Sequence, residues 1–318
     1  MIAKVLGPGQ ELSEYAISDR EMPVGSTLGA PKATLIVKAT GAIEKVYSCE
    51  AGVDVFGTLM LHRWEKNSGI PLTAQPGTFV IRPHCQEHVF ELSNGLSVHE
   101  KIFMLSRGPQ GQDLRAVDPP AAYYAVELRN GAGEVAEVAT YASVRLHGAG
   151  TDPVATSYEQ ALHAFVARDC GKGGLTRVVA CSAAPVSYEV TENTAKASAL
   201  RFPGALSCAT LDHAEDAVGI FHLEHRLEPG ERAEFAFVLT FSLESEEAVR
   251  RMFLTLPDAG AALDATSEDY DGVLQRAAVM TPDAEVNRGV LWAKANMLRC
   301  EQFVEQGWCF VNDPTRSN

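Results

Sequence analysis

The sequence lacks several features that define whole classes of protein. No apolar run approaches the roughly 20 residues that a membrane span requires, and the first ten residues lack the basic and apolar regions of a signal peptide. The seven cysteines are odd in number and scattered, without a Cys-x-x-Cys pair. This pattern argues against a disulfide framework or a zinc ribbon and favours reduced thiols in a cytoplasmic protein.

Basic residues are scarce relative to acidic ones. The 318 residues include 27 Lys and Arg against 41 Asp and Glu, for a formal net charge of −14. An acidic surface repels phosphate backbones, so we expect no nucleic-acid partner. Hydrophobic residues make up 46% and charged residues 21%, which is typical of a folded chain, and the length allows two domains or one large β domain with additions.

Short runs of strand-forming residues follow one another along most of the chain. Turn residues separate them, and Asn94-Gly95 is the strongest of these signals because both residues tolerate positive φ. No helical period interrupts the runs, which argues against βαβ winding and favours a large antiparallel sandwich or barrel. The predicted strands are 33–40, 43–49, 55–63, 78–81, 96–105, 123–129, 135–146, 164–168, 175–181 and 187–191.

The clearest strand pair is predicted between Gly219 and Leu243. Bulky side chains at every second position from 233 to 243 fall on one face of a strand. Pro229 and Gly230 fit the two corners of a type II turn. The segment therefore predicts a β-hairpin.

After this segment the hydrophobic period changes to that of helices. Ser245 is a suitable N-cap for a helix that begins with two glutamates, and 261–279 predicts a second, more polar helix. A third helix is predicted with Thr281 as its N-cap and Pro282 at its first position. Its apolar stripe needs covering partners and consists of Val286, Val290, Leu291, Ala293, Met297, Leu298, Cys300 and Val304.

Several stretches of this region resemble one enzyme family. They are 227–231, 235–239 and 245–248, followed by 287–297 and by the residues around Gly307-Trp308 and Asn312-Asp313-Pro314. The chain resembles the N-terminal β-supersandwich and the start of the (α/α)6 barrel of six-hairpin glycoside hydrolases and phosphorylases, of the glucoamylase-like and glycogen-debranching-like kind.

The resemblance implies a mainly β fold, in which a large antiparallel β-supersandwich of galactose mutarotase-like architecture precedes a few C-terminal α-helices. It implies a sandwich domain over 1–243, a helical linker over 244–280, and the first helix and loop of an incomplete barrel over 281–318. Members of the family carry their catalytic carboxylates further along the barrel. We therefore expect a non-catalytic, N-terminal portion of a carbohydrate-active enzyme that hydrolyses glycosidic bonds or, alternatively, cleaves them with phosphate.

The resemblance also places the predicted substrate-binding residues near the C-terminus. Trp308, Asn312, Asp313 and Arg316 combine an aromatic platform with the planar amide, carboxylate and guanidinium groups that bond paired sugar hydroxyls. Alternatively, Trp308 is a core or interdomain plug and Asp313 caps a turn. The expected partners are a carbohydrate substrate and the missing barrel, homo-oligomerisation stays open, and no catalytic residue or cofactor is assigned.

A weaker candidate is a metal site formed by His84, His88 and Glu91, whose side chains suit zinc, iron or manganese. Two histidines four residues apart in a strand lie about 13 Å from each other, which is too far for one ion. We therefore interpret them as surface and turn residues and assign no metal.

Two further polar sets receive structural interpretations. His222 and His225 flank Glu224 on opposite faces of a strand, so the two imidazoles cannot act together. Three acidic residues of the second predicted helix are interpreted as a solvated face: Glu268, Asp269 and Asp271.

Two rival functions remain open at this point. The chain could be a self-contained carbohydrate-binding or scaffold protein. It could also be an enzyme on the sandwich itself, either a mutarotase-like sugar epimerase that uses a His and a Glu or a metal-dependent cupin-like enzyme. A sandwich fold alone does not decide between them, because one architecture hosts many functions.

Overall fold

The structure, a computed structural model, describes residues 14–21, 25–106, 118–148, 152–171, 174–192, 204–276 and 278–311. Its helices are α1 (Glu246–Leu254), α2 (Ala259–Leu274) and α3 (Ala284–Cys300), and a 3-10 turn spans Gln160–Leu162. In chain order its strands are β1 (Tyr15–Ser18), β2 (Ser26–Ala30), β3 (Ala33–Val37), β4 (Ile43–Ser48), β5 (Val53–Phe56), β6 (Leu59–Glu65), β7 (Thr78–Ile81), β8 (Cys85–Glu91), β9 (Leu96–Met104), β10 (Ala121–Asn130), β11 (Ala136–Arg145), β12 (Val154–Glu159), β13 (Ala164–Asp169), β14 (Thr176–Cys181), β15 (Ser187–Thr191), β16 (Val218–Leu227), β17 (Arg232–Ser242), β18 (Glu301–Val304) and β19 (Gly307–Phe310).

Two large antiparallel sheets form the body of the molecule. The nine-stranded sheet has the order β1-β7-β8-β9-β10-β17-β14-β13-β12, and the eight-stranded sheet has the order β15-β16-β11-β6-β4-β3-β2, with β5 paired to β4. Strands β18 and β19 form a separate two-stranded sheet. The prediction of a mainly β chain, with an antiparallel β-supersandwich followed by helices, is confirmed.

The core lies between the inner faces of the two sheets. Alternate residues of β17 point into it, namely Phe235, Phe237, Leu239 and Phe241, and they pack in one cluster with Phe221 of the opposite sheet. The period of two predicted for this strand is therefore confirmed, since one face of a buried strand must carry the apolar side chains.

The predicted hairpin over 219–243 is wrong in its pairing. β16 pairs with β11 and β15 in the eight-stranded sheet, whereas β17 pairs with β10 and β14 in the nine-stranded sheet. The turn between them has the expected form, because Gly230 has a φ of +81° and Glu231 N–H donates to the Glu228 carbonyl at 2.9 Å. This turn carries the chain from one sheet to the other.

An irregular segment closes the opening between the edge strands β15 and β12. Cys208 N–H donates to the Tyr188 carbonyl of β15 at 2.8 Å. A few residues later, Thr156 of β12 donates through its N–H to the Leu211 carbonyl (2.8 Å) and accepts from Leu211 N–H (2.9 Å). Two strand edges that would otherwise present unpaired backbone groups are thereby covered.

The first two helices lie on the outer face of the nine-stranded sheet. Val249 of α1 packs in a cluster with Val178 of β14, and Ala262 of α2 packs with Phe103 and Tyr123. The Ser245 hydroxyl accepts from Ala248 N–H at 3.0 Å, which confirms the predicted cap of α1.

Asp269 of α2 contradicts the interpretation of a solvated acidic face. Its exposed fraction is 1%, and it accepts a hydrogen bond from the Ser106 hydroxyl in the chain that follows β9. Glu268 and Asp271 are exposed as expected. Two of the three acidic side chains therefore face water, and the third binds the segment that follows β9.

Several predicted boundaries are also wrong. The predicted strand 55–63 is interrupted between β5 and β6, and six strands had not been predicted: β1, β2, β8, β12, β18 and β19. The N-cap of α3 is Asp283 instead of Thr281, because the Asp283 carboxylate accepts from the N–H groups of the next turn. α3 ends at Cys300, so Val304 belongs to β18, and 307–310 is a strand instead of a loop.

Candidate functional site

α3 closes the second opening of the sandwich, between the edge strands β1 and β2. The Trp292 ring lies 4.9 Å from the Tyr15 ring of β1. At β2, a Cβ built on Gly29 would lie 2.1 Å from the Arg299 carbonyl oxygen, so the helix and the strand approach as closely as two backbones can. On the same side of the helix, Ala295 and Leu298 are buried. This side of α3 is thus part of the sandwich.

Two cations of α3 bind backbone carbonyl groups. The buried Arg299 guanidinium donates to the carbonyls of Arg82 (2.7 Å) and Pro83 (3.1 Å) in the turn between β7 and β8. Lys294 donates to the carbonyl of Leu274 at 2.6 Å, at the last residue of α2. A cation at the end of a helix satisfies carbonyl groups that have no partner within it. These contacts hold α3 against the nine-stranded sheet and α2.

The opposite side of α3 is apolar and uncovered by the described residues. The exposed fractions are 46% for Val286 and 55% for Met297, which both belong to the predicted stripe. Phe310, on β19 beyond the end of α3, is 62% exposed. Exposed apolar side chains that line one side of a helix are typical of a surface that contacts another polypeptide.

Of the four predicted substrate-binding residues, only Trp308 lies in the described ranges. It sits on β19, and its ring meets the Phe303 ring of β18 edge-on at 5.3 Å. Its indole nitrogen is buried and makes no hydrogen bond with the residues that the structure describes. Asn312, Asp313 and Arg316 lie outside the described residues, so the sugar-binding role of this set stays a prediction.

The three weak metal candidates do not come together. His84 precedes β8, where burial and the nearby Arg82 guanidinium lower the pKa of its imidazole to about 4. His88 points into the sandwich and is 8% exposed, so its interpretation as a surface or turn residue was wrong, while Glu91 is exposed. Within the described ranges, no group of three or more His, Cys, Asp and Glu side chains is arranged to hold a metal ion.

His88 belongs to a buried charged cluster that sequence reasoning missed. Its ring stacks on Phe79 at 4.1 Å, and its two nitrogens lie 3.5 Å from Asp19 Oδ2 and 3.7 Å from Glu100 Oε2. Glu100 also accepts from Arg63 Nη2 at 2.7 Å across the space between the sheets. Burial would raise the pKa of Glu100, but Arg63 and His88 outweigh it and lower that pKa. The cluster ties β1 to both sheets.

A second ion cluster lies on the outer face of the nine-stranded sheet. Glu87 binds His99 Nε2 at 2.6 Å and Arg82 Nε at 2.7 Å. Burial would raise the pKa of Glu87, but the hydrogen bonds from His99 and Arg82 outweigh it and lower the pKa to about 2. Arg82 also pairs with Glu14 at 2.7 Å. This network fixes the turn whose carbonyls Arg299 binds.

The two histidines around Glu224 lie on opposite faces of β16, as predicted. His225 faces inward and stacks on Phe235 at 5.1 Å. His222 faces outward, where its ring stacks on Tyr141 at 4.3 Å. Its burial is nearly complete, with an exposed fraction of 2%.

Comparison with known proteins places the fold. No protein-family model matches the sequence, and no curated protein matches it. A protein from the human microbiome assigned as a kojibiose phosphorylase superposes with a TM-score of 0.61 at 8% identity, over 92% of this chain and 42% of that chain. A bacterial glucoamylase in complex with acarbose superposes with a TM-score of 0.53 at 13% identity, again over 92% and 42%.

A glycosyl hydrolase of family GH92 gives a TM-score of 0.51 at 13% identity, over 88% of this chain and 39% of that one. The chain has the fold of a glycosidase supersandwich. The resemblance predicted from the sequence is thus confirmed as a likeness of fold, and the chain spans about two fifths of the length of these structures. None of the helices in the described ranges is long and apolar enough to cross a membrane.

Proposed function

We propose that this chain is the non-catalytic sandwich portion of a carbohydrate-active enzyme, a glycoside hydrolase acting on oligosaccharides, with phosphorolysis as the alternative reaction. The observation that carries the proposal is that the structural matches include almost all of this chain but less than half of each matched protein. Nine tenths of this chain corresponds to about two fifths of a kojibiose phosphorylase-like protein and of a glucoamylase. Both are named as enzymes that act on carbohydrates, which supports a carbohydrate substrate for the whole protein.

In this proposal α3 is the element of the sandwich to which a helical catalytic domain attaches. Its inner side is fixed to the sandwich by Arg299 and Trp292. Its outer side presents Val286 and Met297 to a partner. A rigid attachment of this kind can position the loops around an active site without supplying catalytic groups. The domain limits 1–243, 244–280 and 281–318 belong to the same proposal. A cytoplasmic location does as well, supported by seven scattered cysteines.

The first test compares the 318-residue chain with the product of its complete native gene. Both are assayed on maltose, kojibiose and longer oligosaccharides, with and without inorganic phosphate. We expect activity only in the longer product, and the release of a sugar 1-phosphate would identify phosphorolysis. A native gene that ends at Asn318 and encodes a chain active on these substrates would refute the proposal.

The second test concerns the exposed side of α3. Val286→Asp and Met297→Asp should leave the unfolding free energy of the 318-residue chain within about 0.5 kcal/mol of its original value, as for other surface positions. In the complete gene product the same changes should reduce activity and separate the two parts in limited proteolysis. Ile70→Asp is the matched control, because Ile70 is 58% exposed and lies outside α3.

A further inference from the structure

The short strand β1 lies at the edge of the nine-stranded sheet. It is the terminal strand in the sheet order and pairs with β7, from Tyr15 opposite Ile81 to Ser18 opposite Thr78. Its four residues are exposed or half-buried, and Tyr15 has an exposed fraction of 42%. Elements with few buried apolar contacts open locally at a lower free energy than the core does. β1 is therefore an element whose attachment depends on individual side-chain contacts.

The first residue of β1 packs against α3. The Tyr15 ring lies 4.9 Å from the Trp292 ring, and Arg288 Cζ lies 5.2 Å from the centre of the Tyr15 ring. Arg288 and Trp292 are four residues apart on the helix, so their side chains are neighbours on its surface. Aromatic pairs and cation–π pairs both stabilise beyond the area that they bury. Tyr15 therefore belongs to the packing of α3 as well as to the sheet.

Arg82 forms a second connection between β1 and α3. Its guanidinium pairs with the Glu14 carboxylate, directly before β1, at 2.7 Å. Its backbone carbonyl accepts from the Arg299 guanidinium of α3, also at 2.7 Å. Arg299 Cζ in turn lies 5.5 Å from the centre of the Trp292 ring that Tyr15 contacts. These contacts close a ring between the two elements, and a contiguous set of packed and hydrogen-bonded side chains can carry energetic coupling.

Asp19 holds the opposite end of β1. Its Oδ2 atom accepts from Gly77 N–H at 2.7 Å and lies 3.5 Å from His88 Nε2. Its own N–H donates to the Gly77 carbonyl at 3.1 Å. An extended chain rises about 3.3 Å per residue, which places Asp19 about 13 Å from Tyr15 along the strand. A change at Asp19 thus acts on β1 at a distance from the contacts with α3.

We propose that β1 is a strap whose attachment to the sheet is coupled to the attachment of α3. When β1 leaves β7, Trp292 loses the Tyr15 ring, and Arg82 loses the Glu14 carboxylate that helps to fix its turn. The Arg299 contacts with that turn weaken, and α3 opens more often. Coupling between two equilibria is reciprocal, so a change that loosens α3 also loosens β1. This coupling goes beyond the proposed function and does not rest on it, because both elements belong to this chain.

The test is hydrogen exchange followed by mass spectrometry on the purified 318-residue chain. Exchange is measured in β1 and α3, with the central strands β10 and β17 as the internal reference. Asp19→Ala removes the side-chain contacts at the far end of the strap. We expect exchange to accelerate about threefold or more in β1 and also in α3 around Trp292, while the reference stays unchanged. Trp292→Ala is the reciprocal variant, and it should accelerate exchange in the peptide that contains Asp19.

Tyr15→Ala and Tyr15→Phe form a matched pair, because phenylalanine keeps the ring that contacts Trp292. Exchange in α3 should rise in the alanine variant and stay unchanged in the phenylalanine variant. The proposal is overturned if Asp19→Ala accelerates exchange in β1 but not in α3, since the two elements would then be independent. Equal acceleration in β10 and β17 would overturn it as well, because β1 would then stabilise the whole sandwich. It also fails if neither Asp19→Ala nor Tyr15→Ala loosens β1.

Discussion

The close approach of Gly29 to Arg299 gives the sharpest test of how α3 is attached. Gly29→Ala adds a single methyl group, which would lie 2.1 Å from the Arg299 carbonyl oxygen and 3.0 Å from Arg299 Cα. Both contacts are with backbone, so no side chain can rotate away. Gly29 does not have a positive φ, and alanine can adopt its conformation. The cost of the substitution is therefore steric, and its only relief is a separation of α3 from β2.

The size of that separation sets the expected loss of stability. Ordinary van der Waals contact begins at 3.4 Å, and the new Cβ would lie 2.1 Å from the carbonyl oxygen. The helix and the strand must therefore move apart by the difference of 1.3 Å. Overpacking typically costs about 1–3 kcal/mol. The movement also lengthens the two Arg299 hydrogen bonds to carbonyls, and such charged bonds contribute about 1.5–3 kcal/mol each. Because neither bond is lost completely, we expect Gly29→Ala to reduce the unfolding free energy by about 2–4 kcal/mol.

Gly289→Ala supplies a matched control within α3. A Cβ at Gly289 meets no atom within 4 Å, so alanine at this helical position should stabilise the protein by about 0.5–1 kcal/mol. Both variants are measured by urea unfolding with linear extrapolation. The steric explanation is refuted if the unfolding free energy of Gly29→Ala stays within about 0.5 kcal/mol of that of the original chain, which is the range of ordinary surface substitutions.

Three further predictions follow from individual contacts. Ser245→Ala removes the cap of α1 and should reduce the unfolding free energy in urea by about 1 kcal/mol. An unchanged midpoint of urea unfolding would show that the Ser245 hydroxyl does not stabilise α1. Ser106→Ala removes a donor to the buried Asp269 carboxylate and should cost about 1–3 kcal/mol, whereas the exposed Glu268→Gln should change little. Glu87 has a pKa of about 2 when folded, so its contribution to stability is present above its unfolded pKa of about 4.5 and is lost as the pH falls towards 2. Glu87→Gln should therefore reduce the difference in unfolding free energy between pH 6 and pH 3. If the variant and the original chain lose stability equally over this range, Glu87 does not make the pH-dependent contribution.

Strand positions could be predicted from the sequence where one side of a strand is apolar. Phe235, Phe237, Leu239 and Phe241 alternate so strictly that only a strand buried on that face fits. The partner of that strand could not be predicted. A turn with Pro229 and Gly230 fixes a local change of direction, but it does not determine whether the chain pairs with itself or crosses to the opposite sheet.

β8 was missed because its inner face is polar. Gln86 and His88 occupy two of its inward positions, beside Phe90. Gln86 accepts a hydrogen bond from the Ser26 hydroxyl, and the charged cluster with Glu100 compensates for the burial of His88. A pattern of apolar residues cannot reveal a strand whose buried groups are hydrogen-bonded or charged. The burial of Asp269 could not be predicted either, because the Ser106 hydroxyl that it binds lies far away along the chain.

It could not be predicted either that one side of α3 packs on the sandwich while the opposite side stays exposed, and the candidate site depends on this difference. Sequence periodicity gave one wide apolar stripe, but the buried side is defined by Ala295, Leu298 and the stem of Arg299, while Val286 and Met297 remain exposed. A helix that is apolar over so wide an arc is expected to be covered on more than one side. The two sides are also separable by experiment, because Gly29→Ala strains only the side that faces β2, whereas Val286→Asp changes only the side that faces away. If both substitutions destabilised the isolated chain equally, α3 would have a single packed surface, and the argument for a second, partner-binding side would fail.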